Sequence, residues 1–249
     1  GGAAVQELAN YLTGTGFGDS LIWVLESLGA QEKRSTSFQA RTGSRIDFRH
    51  PLMACVNVAG SGKTIPQTPG LADDWFVSDG QITKQPVRAL TLSALAPKAG
   101  QHLWDLGAGA GSVSIEWLLS GPDMRASAVE KNRARVENIR RNAGVLGVDW
   151  LNIIESENRA ALESLERPDA IFIGGGLRED FFCDLWTIIP SGTRVVANGV
   201  TIETDRILTS SQEKFGGKLM RFELSQLNEI GRMKGWKGAY PITQWTVIR

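Results

Sequence analysis

Leu103-Trp104-Asp105-Leu106-Gly107-Ala108-Gly109-Ala110-Gly111 runs from an apolar, strand-like segment into a glycine-rich turn, with an acid two positions before the first glycine. Glycines there let the backbone approach a ligand closely at the carboxyl edge of a sheet. Residues 112–119 then read as a helix, and Ala126-Ser127-Ala128-Val129-Glu130 reads as a second strand ending in a carboxylate 23 residues after Gly107. An acid in that place can hold both hydroxyls of a ribose. A nucleoside cofactor is indicated, either a dinucleotide or S-adenosylmethionine. Ser112 follows Gly111, so the spacing is G-x-G-x-G and the dinucleotide fingerprint G-x-G-x-x-G is not met. The competing reading makes the glycines a tight turn only and Glu130 a cap for the next helix. It explains each feature singly but not their order.

Outward from this stretch the chain alternates. Residues 85–96 have helical spacing at Val87, Leu90, Leu92 and Leu95, and Pro97 and Gly100 stop the helix. Strand-like runs at 102–106, 126–130, 151–155, 169–173 and 193–198 are separated by helical segments at 112–119, 131–143, 158–165 and 178–189. This predicts right-handed βαβ units and a parallel sheet covered on both faces. The last third breaks the rule: 218–224 and 241–248 are both strand-like around a Gly- and Lys-rich segment, which predicts an antiparallel pair at the end of the sheet. Residues 5–30 read as two helices broken at 13–18, and 45–59 contain short apolar runs that suit strands, limited by Pro51. Gly60 to Gly70, rich in Pro and Gly, is the expected boundary. The expected fold class is α/β, with a seven-stranded, mostly parallel sheet in residues 71–249 and a small α+β fragment in residues 1–70. About sixty residues make a marginal core, so the first unit reads as the tail of a larger domain.

The 249 residues are 42% hydrophobic and 22% charged, the composition of a folded protein. The 27 basic and 27 acidic residues cancel, so no global field draws the chain to nucleic acid or an anionic membrane. Cys55 and Cys183 form no CxxC, and His50 and His102 lack ligand spacing, so neither a zinc site nor a disulfide framework is expected. No apolar run approaches the roughly eighteen residues of a membrane span, and no signal-peptide plan opens the chain. A reducing, cytoplasmic location follows as the expectation. Gly60-Ser61-Gly62-Lys63-Thr64 imitates a phosphate loop, but Asn57 stands where that loop needs glycine, and Pro66 and Pro69 oppose the helix that should follow. The bland reading, an interdomain loop, is preferred.

Three further segments narrow the choice: Asp79-Gly80-Gln81-Ile82-Thr83-Lys84-Gln85-Pro86-Val87-Arg88, Gly174-Gly175-Gly176, and Asn198-Gly199-Val200-Thr201-Ile202-Glu203-Thr204. With the D-x-G-x-G-x-G stretch they resemble the decarboxylating methyltransferase module of cobalamin biosynthesis, a Rossmann-like class I methyltransferase, over about residues 71–249. The first seventy residues are similar to the end of a tetrapyrrole methylase domain. The resemblance implies S-adenosylmethionine as cofactor and a precorrin as substrate, methylated at carbon-15 and decarboxylated at the carbon-12 acetate. It also implies a homo-oligomer, a tetramer, with no nucleic-acid or membrane partner. By the same resemblance Thr83 contacts the cofactor, Asp105 belongs to its motif, and Gly107, Ala108, Gly109, Ala110 and Gly111 wrap its methionine part. Glu130 holds the ribose. Glu157 stands where the family has a shorter acid facing the adenine, and Asn158 where it often has Ala.

A precorrin carries many carboxylates, so cations should line its cleft. Lys84 and Arg178 are the first candidates, with Arg88, Arg232, Lys234 and Lys237 behind them; the ordinary fate of each is a solvated surface charge. Glu203 is either a helix cap or an active-site acid. Trp117 and Trp186, at helical spacing among apolar residues, read as core, while Trp236 between Lys and Gly stands out. His102 begins a strand, at the end of the sheet opposite the expected site. Two other readings stay open: a class I methyltransferase acting on another small molecule or on RNA, and a non-catalytic cofactor-binding module.

Overall fold

The computed structural model describes residues 2–44 and 47–249. Arg45 and Ile46, at the start of the expected strand-like stretch 45–59, lie outside the described residues. The chain divides into two compact units, Gly1–Ile65 and Pro66–Arg249, and the division falls within Gly60–Gly70.

In the first unit, helix α1 (Gly2–Gly14) is followed by strands β1 (Leu21–Glu26), β2 (Arg34–Gln39) and β3 (Leu52–Asn57), an antiparallel sheet in the order β2-β1-β3. Val5, Ala9 and Leu12 of α1 form its core with Ile22 and Val24 of β1, Ala40 and Phe48. The second helix expected within 5–30 is a correction, because that stretch is β1. Its burial alternates strictly along LIWVLE, and Ile, Trp and Val favour a pleated surface, so period 2 overrides the helical reading. Strand β2, RSTSFQ, carries almost no apolar signal and exists through pairing with β1, where the Glu26 carboxylate accepts two bonds from Arg34. No helix follows Gly60–Thr64, so the phosphate-loop imitation lacks the dipole it would need.

The second unit is a doubly wound α/β sandwich. Its seven-stranded sheet has the order β6-β5-β4-β7-β8-β12-β9, from β4 (His102–Leu106), β5 (Arg125–Glu130), β6 (Asn152–Glu155), β7 (Ala170–Ile173), β8 (Arg194–Gly199), β9 (Lys218–Phe222) and β12 (Ile242–Ile248). The strands from β6 to β8 are parallel, and β12 runs antiparallel to both β8 and β9, as the pattern of the last third predicts. Helices α2 (Gln85–Leu95), α3 (Ser112–Leu119) and α4 (Arg133–Val145) cover one face, packing Leu92, Trp117 and Ile139 against Leu103, Ala126 and Phe172. On the other face, α5 (Asn158–Ala161), α6 (Glu179–Ile188) and α7 (Ile202–Phe215) bury Phe182, Leu185 and Leu208 against Trp104, Ile171 and Trp245. All of β4 is buried, which is why it reads as a nearly continuous apolar run. Trp117 and Trp186 both lie in these cores.

Two elements depart from expectation. The helix expected over 158–165 is a single turn, α5, continued by a 3-10 turn at Leu162–Ser164. The Gly- and Lys-rich segment forms a two-stranded ribbon, β10 (Ser225–Ile230) with β11 (Met233–Gly238). Helix α7 bears out the helix start that one reading of Glu203 implied, but its length has no periodic signal, because only Leu208 and Ser211 of its fourteen residues are buried; Thr201 caps its start and Gly216 ends it.

Arg88 corrects the sequence reading. It is not a substrate cation but fully buried, with its Nε 2.5 Å from Glu116 Oε1. Its other nitrogens donate to the carbonyls of Leu71 and Thr83 and to Asp73 Oδ1, while Glu116 accepts the backbone N–H groups of Gly70 and Leu71. One ion pair thus holds the whole segment from Gly70 to Thr83 against α2 and α3. Arg88→Met should lower the unfolding free energy in urea by about 3–5 kcal/mol, because Glu116 is left charged and unpaired. The double change with Glu116→Leu should recover only part of that loss, because it removes the unpaired charge but leaves the N–H groups of Gly70 and Leu71 without their acceptor.

Candidate active site

The right-handed crossovers bring every loop that follows a parallel strand to one edge of the sheet, and the strand order reverses between β4 and β7, where a crevice opens. A cavity of about 730 Å³ lies there. Its walls are Gly107–Gly109 after β4, Glu130 and Lys131 after β5, Ser156–Asn158 after β6, Gly174–Gly176 and Arg178 after β7, and Asn198 and Val200 at the end of β8. Gln81–Lys84, in the segment held by Arg88, closes one side.

Two glycine loops meet here backbone to backbone. Gly107 has φ +75°, and a Cβ on it would stand 2.7 Å from the carbonyl oxygen of Gly175. Both Gly107 N and Ala108 N donate to Val129 O at 3.0 Å, which holds the turn over the end of β5. Asn158 Nδ2 donates to Gly175 O at 3.1 Å and fixes the second loop.

Glu130 is 5% exposed, with Oε2 accepting from Gly109 N and Oε1 from Asn132 N, both at 2.9 Å. It does not cap the following helix: Asn132 does, accepting from Ala134 N and Arg135 N. Each Glu130 oxygen keeps lone-pair capacity toward the cavity. Thr83, Ala108, Gly109, Glu157 and Asn158 also stand on the wall, Glu157 exposed beside Lys131.

Asp105, Ala110 and Gly111 do not reach the cavity. Asp105 is fully buried behind the turn, where its Oδ2 accepts from Ser114 N at 3.1 Å and Ser114 Oγ at 2.6 Å. Burial pushes its pKa up to about 6, against the pull of those two bonds. Its part is to anchor the start of α3 and so set the glycine turn. Ala110 O accepts from Asn142 Nδ2, and Gly111, at φ +73°, opens α3.

Among the acid and cation candidates, Lys84 and Arg178 line the cavity, exposed and loosely paired with Asp73 at 3.7 Å and Asp180 at 3.4 Å. Glu203 does not. It lies in the first turn of α7 behind the Thr201 cap, its pKa lowered by its own backbone N–H and the Thr201 hydroxyl. Lys234, Trp236 and Lys237 lie on β11 and Arg232 in the turn before it, none on the cavity wall. Sequence reasoning missed Lys131, Arg135, Arg159 and Asn198 as wall residues. Lys131 and Asn198 could have been found from their place at the ends of predicted strands. His102 sits at the amino end of β4, bonded to Ser127 Oγ at 2.9 Å, its pKa lowered by burial. Among the described residues no group of three or more His, Cys, Asp or Glu could hold a metal ion, and no helix is long and apolar enough to cross a membrane.

A doubly wound sheet with this glycine turn and a carboxylate ending the next strand defines a Rossmann-like methyltransferase fold. Residues 74–249 match the model of the precorrin methyltransferase domain, and the chain belongs to that family. It is 44% identical to a precorrin-6Y C(5,15)-methyltransferase [decarboxylating] of a Sinorhizobium species, over 98% of this chain and 60% of that protein. A solved C-terminal domain of precorrin-6Y C5,15-methyltransferase from Rhodobacter capsulatus superposes with a TM-score of 0.72 at 44% identity, covering 74% of this chain and all of that one. A precorrin-6y C5,15-methyltransferase from Geobacter metallireducens gives 0.65 at 30% identity, covering 74% of this chain and 98% of that one. The chain thus spans about three fifths of the length of the curated full-length relative it matches.

The buried Asp105 has a pH signature. Its folded pKa of about 6 lies above its ordinary 3.8, so the folded state binds the proton more tightly. The group costs nothing below about pH 4 and destabilises fully above its folded pKa. The stability difference between Asp105→Asn and the parent protein should therefore shift in the variant's favour by about 2.5 kcal/mol from pH 4 to pH 8, at about 1.36 kcal/mol per pKa unit. Urea unfolding across that range reads it, and a flat difference would refute the burial argument.

Proposed function

We propose that residues 71–249 form an S-adenosylmethionine-dependent methyltransferase that methylates carbon-15 of a precorrin and removes the carboxyl of its carbon-12 acetate in cobalamin biosynthesis. Residues 1–70 are then the C-terminal remnant of a tetrapyrrole methylase domain with its linker. The observation that carries the reading is the juxtaposition of Glu130 with the Gly107–Gly109 turn on one wall of the cavity.

The residues present fit the cofactor. The wall at Gly107 has no room for a side chain, and Glu130 is already oriented by two backbone N–H groups, with acceptor capacity left for two hydroxyls. When bound, the sulfonium supplies a methyl group on an already activated leaving group. The protein needs no nucleophile for this, only position and exclusion of water. Glu130 binds the ribose, and Thr83 and the glycine backbone hold the methionine part. Glu157 and Asn158 face the adenine, and Asp105 sets the turn from behind. Lys84 and Arg178 orient substrate carboxylates from two sides of the cavity. The open strip of Gly174–Gly176 leaves a side-chain-free surface for a flat macrocycle. Glu203 supports the structure of α7 and takes no part in the chemistry.

A homotetramer in a reducing cytoplasm completes the proposal. The solvent-facing Leu227, Ile230, Met233 and Trp236 of the β10–β11 ribbon, 53–76% exposed, support self-association, and two free thiols support a reducing compartment.

Calorimetric titration with S-adenosylhomocysteine should give micromolar binding, with none for NAD or ATP. Glu130→Ala should weaken that binding by roughly 10- to 100-fold, the worth of one charge-assisted bond, while circular dichroism stays unchanged. Unchanged affinity would displace the ribose from Glu130. Light scattering should give the mass of four chains, and Trp236→Asp should reduce it.

A further inference from the structure

Asn198 closes the cavity at its far end from Glu130, beside Val200 and Ile242. Its amide is set from behind by two residues that do not reach the cavity. Asn198 Nδ2 donates to Thr91 Oγ1 at 2.9 Å, and Gln244 Nε2 donates to Asn198 Oδ1 at 2.9 Å and to Thr91 Oγ1 at 3.3 Å. Thr91 spends its own proton on Val87 O at 2.8 Å, so toward both amides it can only accept. Thr91 and Gln244 are 0% and 1% exposed, and Gln244 Oε1 has no hydrogen-bond partner among the described residues. Packing alone would be better served here by apolar side chains of the same shape, since an orphaned buried acceptor is destabilising. A polar cluster kept at that cost fixes the direction of one amide.

The sheet places that amide at the substrate end. Asn198 on β8 is three strands from Glu130 on β5, roughly 14 Å at the usual spacing of neighbouring strands. A nucleoside held at Glu130, with its methionine part along Gly107–Gly109, fills the side of β5 and β4, and the side of β7 and β8 is left for the second reactant. Thr91 and Gln244 use one N–H of Asn198 and one lone pair of its oxygen, and the rest remain for a ligand.

We propose that Asn198 holds the substrate carboxylate that leaves as carbon dioxide, with Thr91 and Gln244 as its positioning residues. This rests on the decarboxylating methyltransferase reading of the site. In that step the bond between the acetate methylene and the carboxylate breaks and carbon dioxide departs. The electron pair passes into the conjugated macrocycle, and one solvent proton is taken up to leave a methyl group. The carboxylate loses its negative charge on the way to the transition state. A Lys or Arg on it would stabilise the ground state more than the transition state and slow the loss. A neutral amide N–H orients the group without that penalty. Lys84 and Arg178, on the segment before α2 and the loop after β7, hold carboxylates that persist.

The test is single-turnover reaction of the full chain with S-adenosylmethionine and a precorrin, reading carbon dioxide release and methyl transfer separately, beside S-adenosylhomocysteine affinity. Asn198→Ala should slow carbon dioxide release by about 10- to 100-fold, through lost orientation of the carboxylate, with cofactor affinity within about threefold. Thr91→Val should slow the same step and Thr91→Ser should restore it, which a packing role would not require. Carbon dioxide release at the parent rate in Asn198→Ala, or a loss that tracks cofactor affinity, would overturn the assignment. If the parent chain itself fails to bind S-adenosylhomocysteine, the methyltransferase reading falls, and this inference with it.

Discussion

The approach of Gly107 to Gly175 sets the shape of everything at the carboxyl edge of the sheet. With 2.7 Å between the position of a Cβ and a carbonyl oxygen, the two loops can close only because neither carries a side chain at the contact. That closure brings the turn after β4 and the loop after β7 into one continuous backbone surface. It leaves the cavity open toward β5 on one side and β8 on the other. On the proposed reading this seam separates the cofactor end from the substrate end.

Three buried acids support the surface in different ways. Glu116 is neutralised by Arg88, and the pair carries the segment whose residues Gln81–Lys84 form a cavity wall. Glu130 is held by backbone donors and faces the cavity, so its charge is available to a ligand. Asp105 has a serine for company and one oxygen with no partner among the described residues, which is why burial dominates its titration. The differences are of environment, not residue type, and they separate a structural ion pair, a carboxylate on the cavity wall and an anchor.

The cationic side chains show the same lesson. Arg88, Lys84 and Arg178 are equivalent as entries in a composition, yet one is sealed in the core and two stand on the cavity wall. Lys131, Arg135 and Arg159 join that wall from three separate elements. Only Lys131, directly after a predicted strand, had a place in the pattern to mark it; Arg135 and Arg159 carried no signal of their own, because a surface charge on a helix looks the same whether its turn faces the crevice or not.

The sequence by itself determined the alternating core of the second unit. Periodicity places β4 to β8, and the end of β12, within a residue or two, because strands buried on both faces must be apolar throughout and their helices must be amphipathic. It also determined the glycine turn and Glu130, since strained backbone and close approach demand particular residues. The tertiary structure alone decided that 21–26 is a strand, that RSTSFQ pairs beside it, and that α7 forms on a polar stretch with little to bury. In each, partners distant in the chain supply the stabilisation that local pattern lacks. It alone decided the fates of Arg88, Glu203 and Asn198 as well. Whether a polar side chain is clamped, solvated or aimed into a cavity depends on what packs behind it, and for Asn198 those groups come from positions 91 and 244, which only the folded sheet brings together.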